Sequence, residues 1–536
     1  MKDSTGIPEE LANFFKGPGG HSLIVKGLAG TGKTTFALQL AEELDSIAKS
    51  HYISVRVSDE SLYNQFPWLR KKLAENEKMK MAKSYAKTLT SNYVHQEKDT
   101  DVALEIRVRS AQLLESLEGS SLGSRKVDRS ELQKLEGRIE MGEEGMEEDY
   151  GSLGEGAFLE DTLIFDLGSD LPEIDLAYDM VDQTLPDKTL VLIDSIDALS
   201  ERYGVHSSKL INTLQKDLVE HSNADVLYVL ETGMENRLDY LGDGVISFGK
   251  DEYKGRRLRV LNIEKLRGTE ITQHKYLYTL KDGRLKTFAF RKEKLPTEAK
   301  HWKTVEDISE DIVSTGNEAL DRLIGGLKRG SIIAIEIGGN VPSFYIDNIK
   351  SGLIANFASQ NRGVAFMPSK RAPAEIVANQ IIPYLGEDIY NKYVRVYEAI
   401  QIESFKSSEN TLALDGTDLA EELKWKKIEY TLEQAKHPFL SMMSFDTLES
   451  MYDVDVVERL TAHLTSIRRE KDIFVGIILP TDKSVGKLTN VAHTHLKIEN
   501  LDGSVVLYGE KPFTELFALD FDVSKGYPKA DLTPIV

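Results

Sequence analysis

HSLIVKGLAGTGKTT, residues 21–35, decides how the rest of the chain reads. His21–Lys26 is a short run rich in β-branched residues, which predicts a strand. A glycine-rich turn follows it directly, and helical spacing then runs over Thr34–Leu44. Gly27-Leu28-Ala29-Gly30-Thr31-Gly32-Lys33-Thr34 fits the pattern G-x-x-x-x-G-K-[ST]. Its glycines let the backbone fold around phosphate oxygens with N–H groups pointing inward. A helix starting at Lys33 adds free N–H groups and the positive end of its dipole. Lys33 can neutralise β- and γ-phosphates, and the Thr34 hydroxyl can ligate Mg²⁺. The expected nucleotide contacts are Gly27, Leu28, Ala29, Gly30, Thr31, Gly32, Lys33, Thr34 and Thr35, with ATP and Mg²⁺ as cofactors.

Further along, Thr189-Leu190-Val191-Leu192-Ile193-Asp194 is an apolar run ending in a carboxylate. A buried strand of this kind delivers Asp194 to the edge of the sheet beside the phosphate loop, where it can help hold Mg²⁺. Strands are also expected at Tyr52–Val57 and Asp225–Leu230. The same succession then returns: Ser331–Ile337, a helix over Tyr345–Ala358, then Gly363–Met367, Phe439–Phe445 and Ile473–Leu479. Strands alternating with helices predict two α/β domains with mostly parallel sheets. The charged stretch around Pro296 is the expected linker, giving residues 1–290, a linker over 291–312, and a second domain over 313–536.

The copies differ in length. Gly27 to Asp194 spans 167 positions, whereas Gly338 to Asp446 spans 108, so the first copy carries an insertion at about 68–160. Its first part has helical spacing, and Glu131–Glu160 holds ten acidic and two basic residues. Such a stretch buries too little apolar area to offset its ordering entropy, which predicts a mobile acidic loop, or a partner-binding lid.

Composition narrows the function classes. The 536 residues contain 66 basic and 87 acidic side chains and no cysteine, for a formal charge of −21. That charge argues against a nucleic-acid coat, whose affinity comes from Lys and Arg on phosphates. The lack of cysteine excludes thiol catalysis and Cys-ligated zinc and suits a reducing compartment. No apolar run reaches the roughly 18 residues that span a bilayer, and Met1–Gly6 has no apolar signal core, so a cytoplasmic chain is expected.

Asp194-Ser195-Ile196-Asp197-Ala198-Leu199 resembles the D-S-h-x-A-L signature of the KaiC-like branch of RecA-like ATPases. Ser58-Asp59-Glu60-Ser61 resembles that family's strand ending in two acidic residues. The resemblance implies Glu60 as the general base and Asp59 as its neighbour, although the same residues would also cap a following helix. Lys265-Leu266-Arg267 matches the Lys and Arg that, in the family, reach the ATP site of an adjacent subunit. The family's next histidine is replaced by Ile271, and His274 is poorly spaced to substitute. Lys250–Lys275 as a whole holds eight basic and four acidic residues, and a solvated strand pair or contact with nucleic acid or an acidic partner would also account for it.

Ser314–Gly330 resembles the family's domain start as well. In Gly338-Gly339-Asn340-Val341-Pro342-Ser343-Phe344-Tyr345, however, Phe344 falls where the lysine belongs and Ser343 where the second glycine belongs. Pro342 also lacks a backbone donor. Ser369, Lys370 and Arg371 replace the acidic pair, while Asp446 survives. The second copy is therefore expected to be degenerate, without nucleotide chemistry or autophosphorylation. Ile7-Pro8-Glu9-Glu10 and Arg56–Trp68 are similar to the gas-vesicle regulatory GvpD family of archaea, which implies a regulator acting on a transcription activator.

The leading expectation is a slow Mg²⁺-dependent ATPase that switches assembly or partner binding, working as a homo-oligomer, with a hexameric ring favoured by sites completed across subunits. A RadA-like DNA-repair ATPase and a nucleotide-gated module without turnover are the alternatives. No contact with membrane or nucleic acid is expected.

Overall fold

The computed structural model describes residues 6–54, 59–69, 79–81, 171–232, 237–289, 295–370, 374–399, 410–452 and 455–536. The expected insertion falls almost wholly outside these residues. The first sheet contains β1 (Ser22–Gly27), β2 (Lys49–Ser54), β3 (Met79–Met81), β4 (Thr189–Asp194), β5 (Asp225–Leu230), β6 (Gly244–Tyr253), β7 (Arg256–Leu266), β8 (Lys275–Thr279) and β9 (Lys286–Phe288). Their order is β3-β2-β4-β5-β1-β6-β7-β8-β9. Pairing is parallel from β3 to β6 and antiparallel from there to β9.

Every residue of β1 and β5 is buried, as a strand covered on both faces must be. One face packs on helices α1 (Glu9–Phe15) and α2 (Lys33–Leu44), through Phe14, Phe15, Phe36 and Leu40. The other packs on α3 (Pro172–Thr184), α4 (Ile196–Tyr203) and α5 (Ser207–Leu214), through Ile174, Val181, Leu199 and Leu210.

The second sheet runs β10 (Ile332–Ile337), β11 (Arg362–Met367), β12 (Val394–Ala399), β13 (Thr411–Leu414), β14 (Lys436–Ser444), β15 (Ile473–Ile478), β16 (Thr494–Leu501), β17 (Ser504–Lys511), β18 (Phe517–Asp522) and β19 (Lys529–Pro534). Its order, β13-β12-β11-β14-β15-β10-β16-β17-β18-β19, repeats the first sheet's succession around the central strand. In both, one strand separates the glycine-turn strand from the strand expected to end in a carboxylate. The chain is thus α/β with two large, mostly parallel sheets of RecA-like order.

The β6–β7 hairpin joins the two halves. Arg256 at its tip is buried and donates to the carbonyls of Thr514 and Gly509, at 2.7 and 2.8 Å, with its guanidinium over the Tyr508 and Phe513 rings. Lys254 pairs with Glu499 at 2.8 Å. Leu258, Val260 and Leu277 share one apolar cluster with Val506, Leu516 and Ile535.

Two strands begin three residues earlier than expected, at Lys49 rather than Tyr52 and at Lys436 rather than Phe439. The second strand occupies Lys49–Ser54 rather than Tyr52–Val57, because its ladder with β4 begins where Lys49 lies beside Thr189. Residues 55–58 lie outside the described set. Ser50 and His51, polar on paper, are buried there, with the His51 ring 3.3 Å from the Thr184 hydroxyl.

Candidate functional site

The loop Leu28–Gly32 leaves the C-terminal end of β1 and delivers Lys33 as the first residue of α2. Gly30 and Gly32 take φ of +72° and +95°, a region that L side chains rarely adopt. A Cβ on Gly32 would also come within 2.8 Å of the Leu280 side chain. The Lys33 ammonium folds back onto the carbonyls of Gly27 and Leu28, at 2.7 and 3.0 Å. Burial holds this lysine below its usual pKa, opposed by the negative charges of Glu231, Asp194 and Asp197.

Asp194 ends β4 on the same sheet edge. Its Oδ2 accepts from the Thr34 hydroxyl at 2.6 Å and from the Tyr52 hydroxyl at 2.9 Å. Burial, then the adjacent Asp194 carboxylate, push the Tyr52 phenol well up, so it stays a neutral donor. The register places Ser54 beside Asp194, with Tyr52 on the same face two residues earlier. Lys33, Thr34 and Asp194 are therefore brought together by two strand ends and one helix start. A hydroxyl and a carboxylate at hydrogen-bond distance are hard oxygen donors suited to Mg²⁺, and the pair fits that ion.

Sequence reasoning assigned no role to several neighbours of this site. Tyr52 is one. Asp197, in the first turn of α4, accepts the backbone N–H of Glu231, which directly follows β5. An apolar strand ending in an acidic residue was the signal used for Asp194, and Asp225–Glu231 repeats it. On the outer side of the loop, Lys250, Arg259 and Tyr278 donate to the carbonyls of Ala29, Gly30 and Thr31, at 3.0, 3.3 and 2.6 Å.

Asp59 and Glu60 begin a short helix, Asp59–Gln65, beyond the end of β2; their side chains lie outside the described residues. Lys265 and Arg267 lie elsewhere. Lys265 donates to the Gly242 carbonyl at 2.5 Å, and Arg267 pairs with Asp243 at 2.9 Å. Asp243 in turn accepts from Ser22, at the start of β1. That end is roughly 20 Å along the strand from the loop, so neither cation reaches its own chain's phosphate loop.

In the second sheet, strand register revises the expected correspondence. Lys26 lies beside Leu230 and Glu336 beside Ile478; Gly27 lies beside Phe248 and Ile337 beside Ile498. Gly27 thus corresponds to Ile337, which puts Ser343 at the position of Lys33 and Phe344 at that of Thr34. The helices agree, starting at Lys33 and at Ser343. Reading Gly338 as the turn's first glycine had moved everything by one residue. Phe344 packs its ring on Tyr345 and Phe521, at 5.7 and 5.5 Å. Asp194 lies beside Val229 and Ser444 beside Ile477, so Ser444 takes the aspartate's place. Asp446 stands two residues further on and accepts from the Ser369 hydroxyl at 2.5 Å.

Residues 11–264 match the family described as GvpD gas vesicle protein, P-loop domain. Through that segment the chain is similar to GvpD gas vesicle proteins. It is 23% identical to protein GvpD1 of Halobacterium salinarum over 601 aligned positions, covering 100% of this chain and 98% of that protein. To protein GvpD2 of the same organism it is 24% identical over 547 positions, covering 99% and 96%. Both sheets thus fall within the similarity, whereas the matched P-loop family ends within β7 of the first. Among the described residues, no helix is long and apolar enough to cross a membrane.

Proposed function

We propose that this GvpD-like protein binds and slowly hydrolyses ATP with Mg²⁺ through its first domain (1–290) and uses that cycle to switch assembly or partner binding. The observation that carries this reading is the convergence of Lys33, Thr34 and Asp194 at one edge of the first sheet. The loop amides and Lys33 bind and orient the phosphates, and the ammonium moves off the Gly27 and Leu28 carbonyls onto phosphate oxygens. Thr34 and Asp194, the latter steadied by Tyr52, would hold Mg²⁺, which neutralises phosphate charge. Glu60 is the proposed base for the attacking water, with Asp59 beside it. Lys265 and Arg267 are the proposed contacts to a neighbouring copy's site in a ring, which a hexamer would satisfy. The second domain (313–536, after a 291–312 linker) is the proposed structural or partner-binding unit, with Ser343, Phe344 and Ser444 at the three positions chemistry requires. The matched family's description favours a role in the gas-vesicle system, and the resemblance to GvpD makes that role regulation, with a regulatory protein such as a transcription activator as partner.

A second reading, nucleotide-gated binding without turnover, is favoured by the cis ties of Lys265 and Arg267 to Gly242 and Asp243. An absent finger costs about 10³–10⁵ in rate. ATP turnover and mass by light scattering, measured for wild type, Lys33→Ala and Glu60→Gln with and without Mg·ATP, test the proposal. Lys33→Ala is expected to lose binding, and Glu60→Gln to bind but barely turn over. Normal turnover by Glu60→Gln removes it as the base; turnover intact in Lys33→Ala places the site elsewhere. Binding by wild type with no turnover supports the second reading.

A further inference from the structure

The outer surface of the phosphate loop carries an arrangement with no role so far. Three consecutive loop carbonyls are each held by a side chain from a different strand. Lys250 of β6 donates to Ala29, Arg259 of β7 to Gly30, and Tyr278 of β8 to Thr31. The three strands are neighbours in the sheet. Lys250 lies directly across from Arg259, and the pairing of Val260 with Leu277 continues the row to Tyr278. The donors thus form one line across three strands on one face.

A planar trans peptide sets the carbonyl of one residue opposite to the N–H of the next. Holding the carbonyls of Ala29, Gly30 and Thr31 outward therefore turns the N–H groups of Gly30, Thr31 and Gly32 to the other, concave side. That side is where an anion is bound. We propose that Lys250, Arg259 and Tyr278 are positioning residues, an external clamp that fixes the loop amides in the orientation a nucleotide's phosphates require. The inference rests on the first domain's binding a nucleotide and adds how its affinity is set.

The second sheet provides an internal comparison. Register equates Phe248 with Ile498, so Asn500 stands at the position of Lys250. Val505 lies across from Asn500, and the pairing of Val506 with Ala518 carries the row to Leu519. Asn500 still donates to the Asn340 carbonyl at 3.3 Å, and the Asn340 side chain donates back to the Asn500 carbonyl at 3.2 Å, but Val505 and Leu519 are apolar and buried. The copy that lacks a lysine, a threonine and an aspartate at the site therefore lacks two of the three clamp donors. Loop chemistry and most of the clamp are lost together, as expected when the clamp serves phosphate binding and not the fold.

Tyr278→Phe is the decisive variant, because it removes one donor and no charge. Burial pushes this phenol up to about 12, so it is neutral at pH 7. ADP affinity by calorimetry is compared for wild type, Tyr278→Phe, Arg259→Met, Arg259→Lys and Lys33→Ala, with circular dichroism reporting the fold. Tyr508→Phe, which removes a hydroxyl at the domain interface, is the control. Folded Tyr278→Phe should bind ADP about three- to tenfold more weakly, the effect of one hydrogen bond, with Arg259→Met at least as weak and Tyr508→Phe unchanged. Unchanged affinity in folded Tyr278→Phe overturns the clamp while leaving nucleotide binding in place. Full recovery by Arg259→Lys with no effect of Tyr278→Phe also overturns it, in favour of direct contact between the cation and phosphate. Failure of wild type to bind ADP at all overturns both the clamp and the nucleotide reading.

Discussion

Thr34 and Asp194 show how far individual residues could be read from the chain. The motif around Lys33 supplied the first hydroxyl, and an apolar run ending in Asp194 supplied the carboxylate. Tyr52 was invisible, because nothing in its spacing says that the strand face it shares with Ser54 opens onto the site. The Thr34 hydroxyl is the group most open to a clean test. Thr34→Val keeps the side chain's shape and removes the oxygen that bonds Asp194. It should leave the fold intact and abolish most of the Mg²⁺-dependent gain in ADP affinity, so that affinities with and without Mg²⁺ converge. A Mg²⁺ effect as large as in wild type would place the ion elsewhere. Phe344 is the opposite lesson. It was read as the residue replacing the lysine, and the sheet assigns that place to Ser343, since a doubled glycine concealed where the strand ended.

Strands and helices were legible wherever apolar residues ran together. Asp225–Leu230 was read with both ends right, and Ile473–Leu479 within one residue. The beginning of β2 was not, because Lys49, Ser50 and His51 are polar and are drawn into the ladder by β4, which lies far away in sequence. Helix Thr461–Glu470 carries an element-scale consequence. Its buried His463 sits 3.0 Å from the Ser441 hydroxyl and 2.9 Å from the Leu423 carbonyl, and burial pushes its pKa from 6.5 down to about 4. The unfolded chain therefore takes up a proton below about pH 6.5 that the folded chain refuses until about pH 4. This contribution to stability is complete above pH 6.5 and is lost as pH falls toward 4, about 2 kcal/mol between pH 7 and 5. Chemical denaturation at the two pH values checks it. The acid loss should shrink in His463→Gln, and an undiminished loss in that variant would assign it to other groups.

At the scale of the molecule, Arg256 is the most buried charged side chain in the contact between the two halves. Arg256→Met keeps an apolar stem while abandoning the Thr514 and Gly509 carbonyls and the two aromatic rings. It should cost about 2–4 kcal/mol and split a single thermal transition into two, since unmet buried acceptors weaken the docking more than either core. One unshifted transition by calorimetry would show the docking rests elsewhere. The basic stretch Lys250–Lys275 also resolves only at this scale. Lys250 and Arg259 serve the phosphate loop, Lys254 and Arg256 the domain contact, and Lys265 and Arg267 the far end of β1. The sequence alone determined the α/β class, the duplicated order of strands and the phosphate loop, because each rests on local periodicity or on residues close together in the chain. Which carbonyl each cation grips, which residue of the second copy stands opposite Lys33, and which polar side chains are buried were decided by tertiary structure, because strand register is set by pairing between segments far apart in the chain.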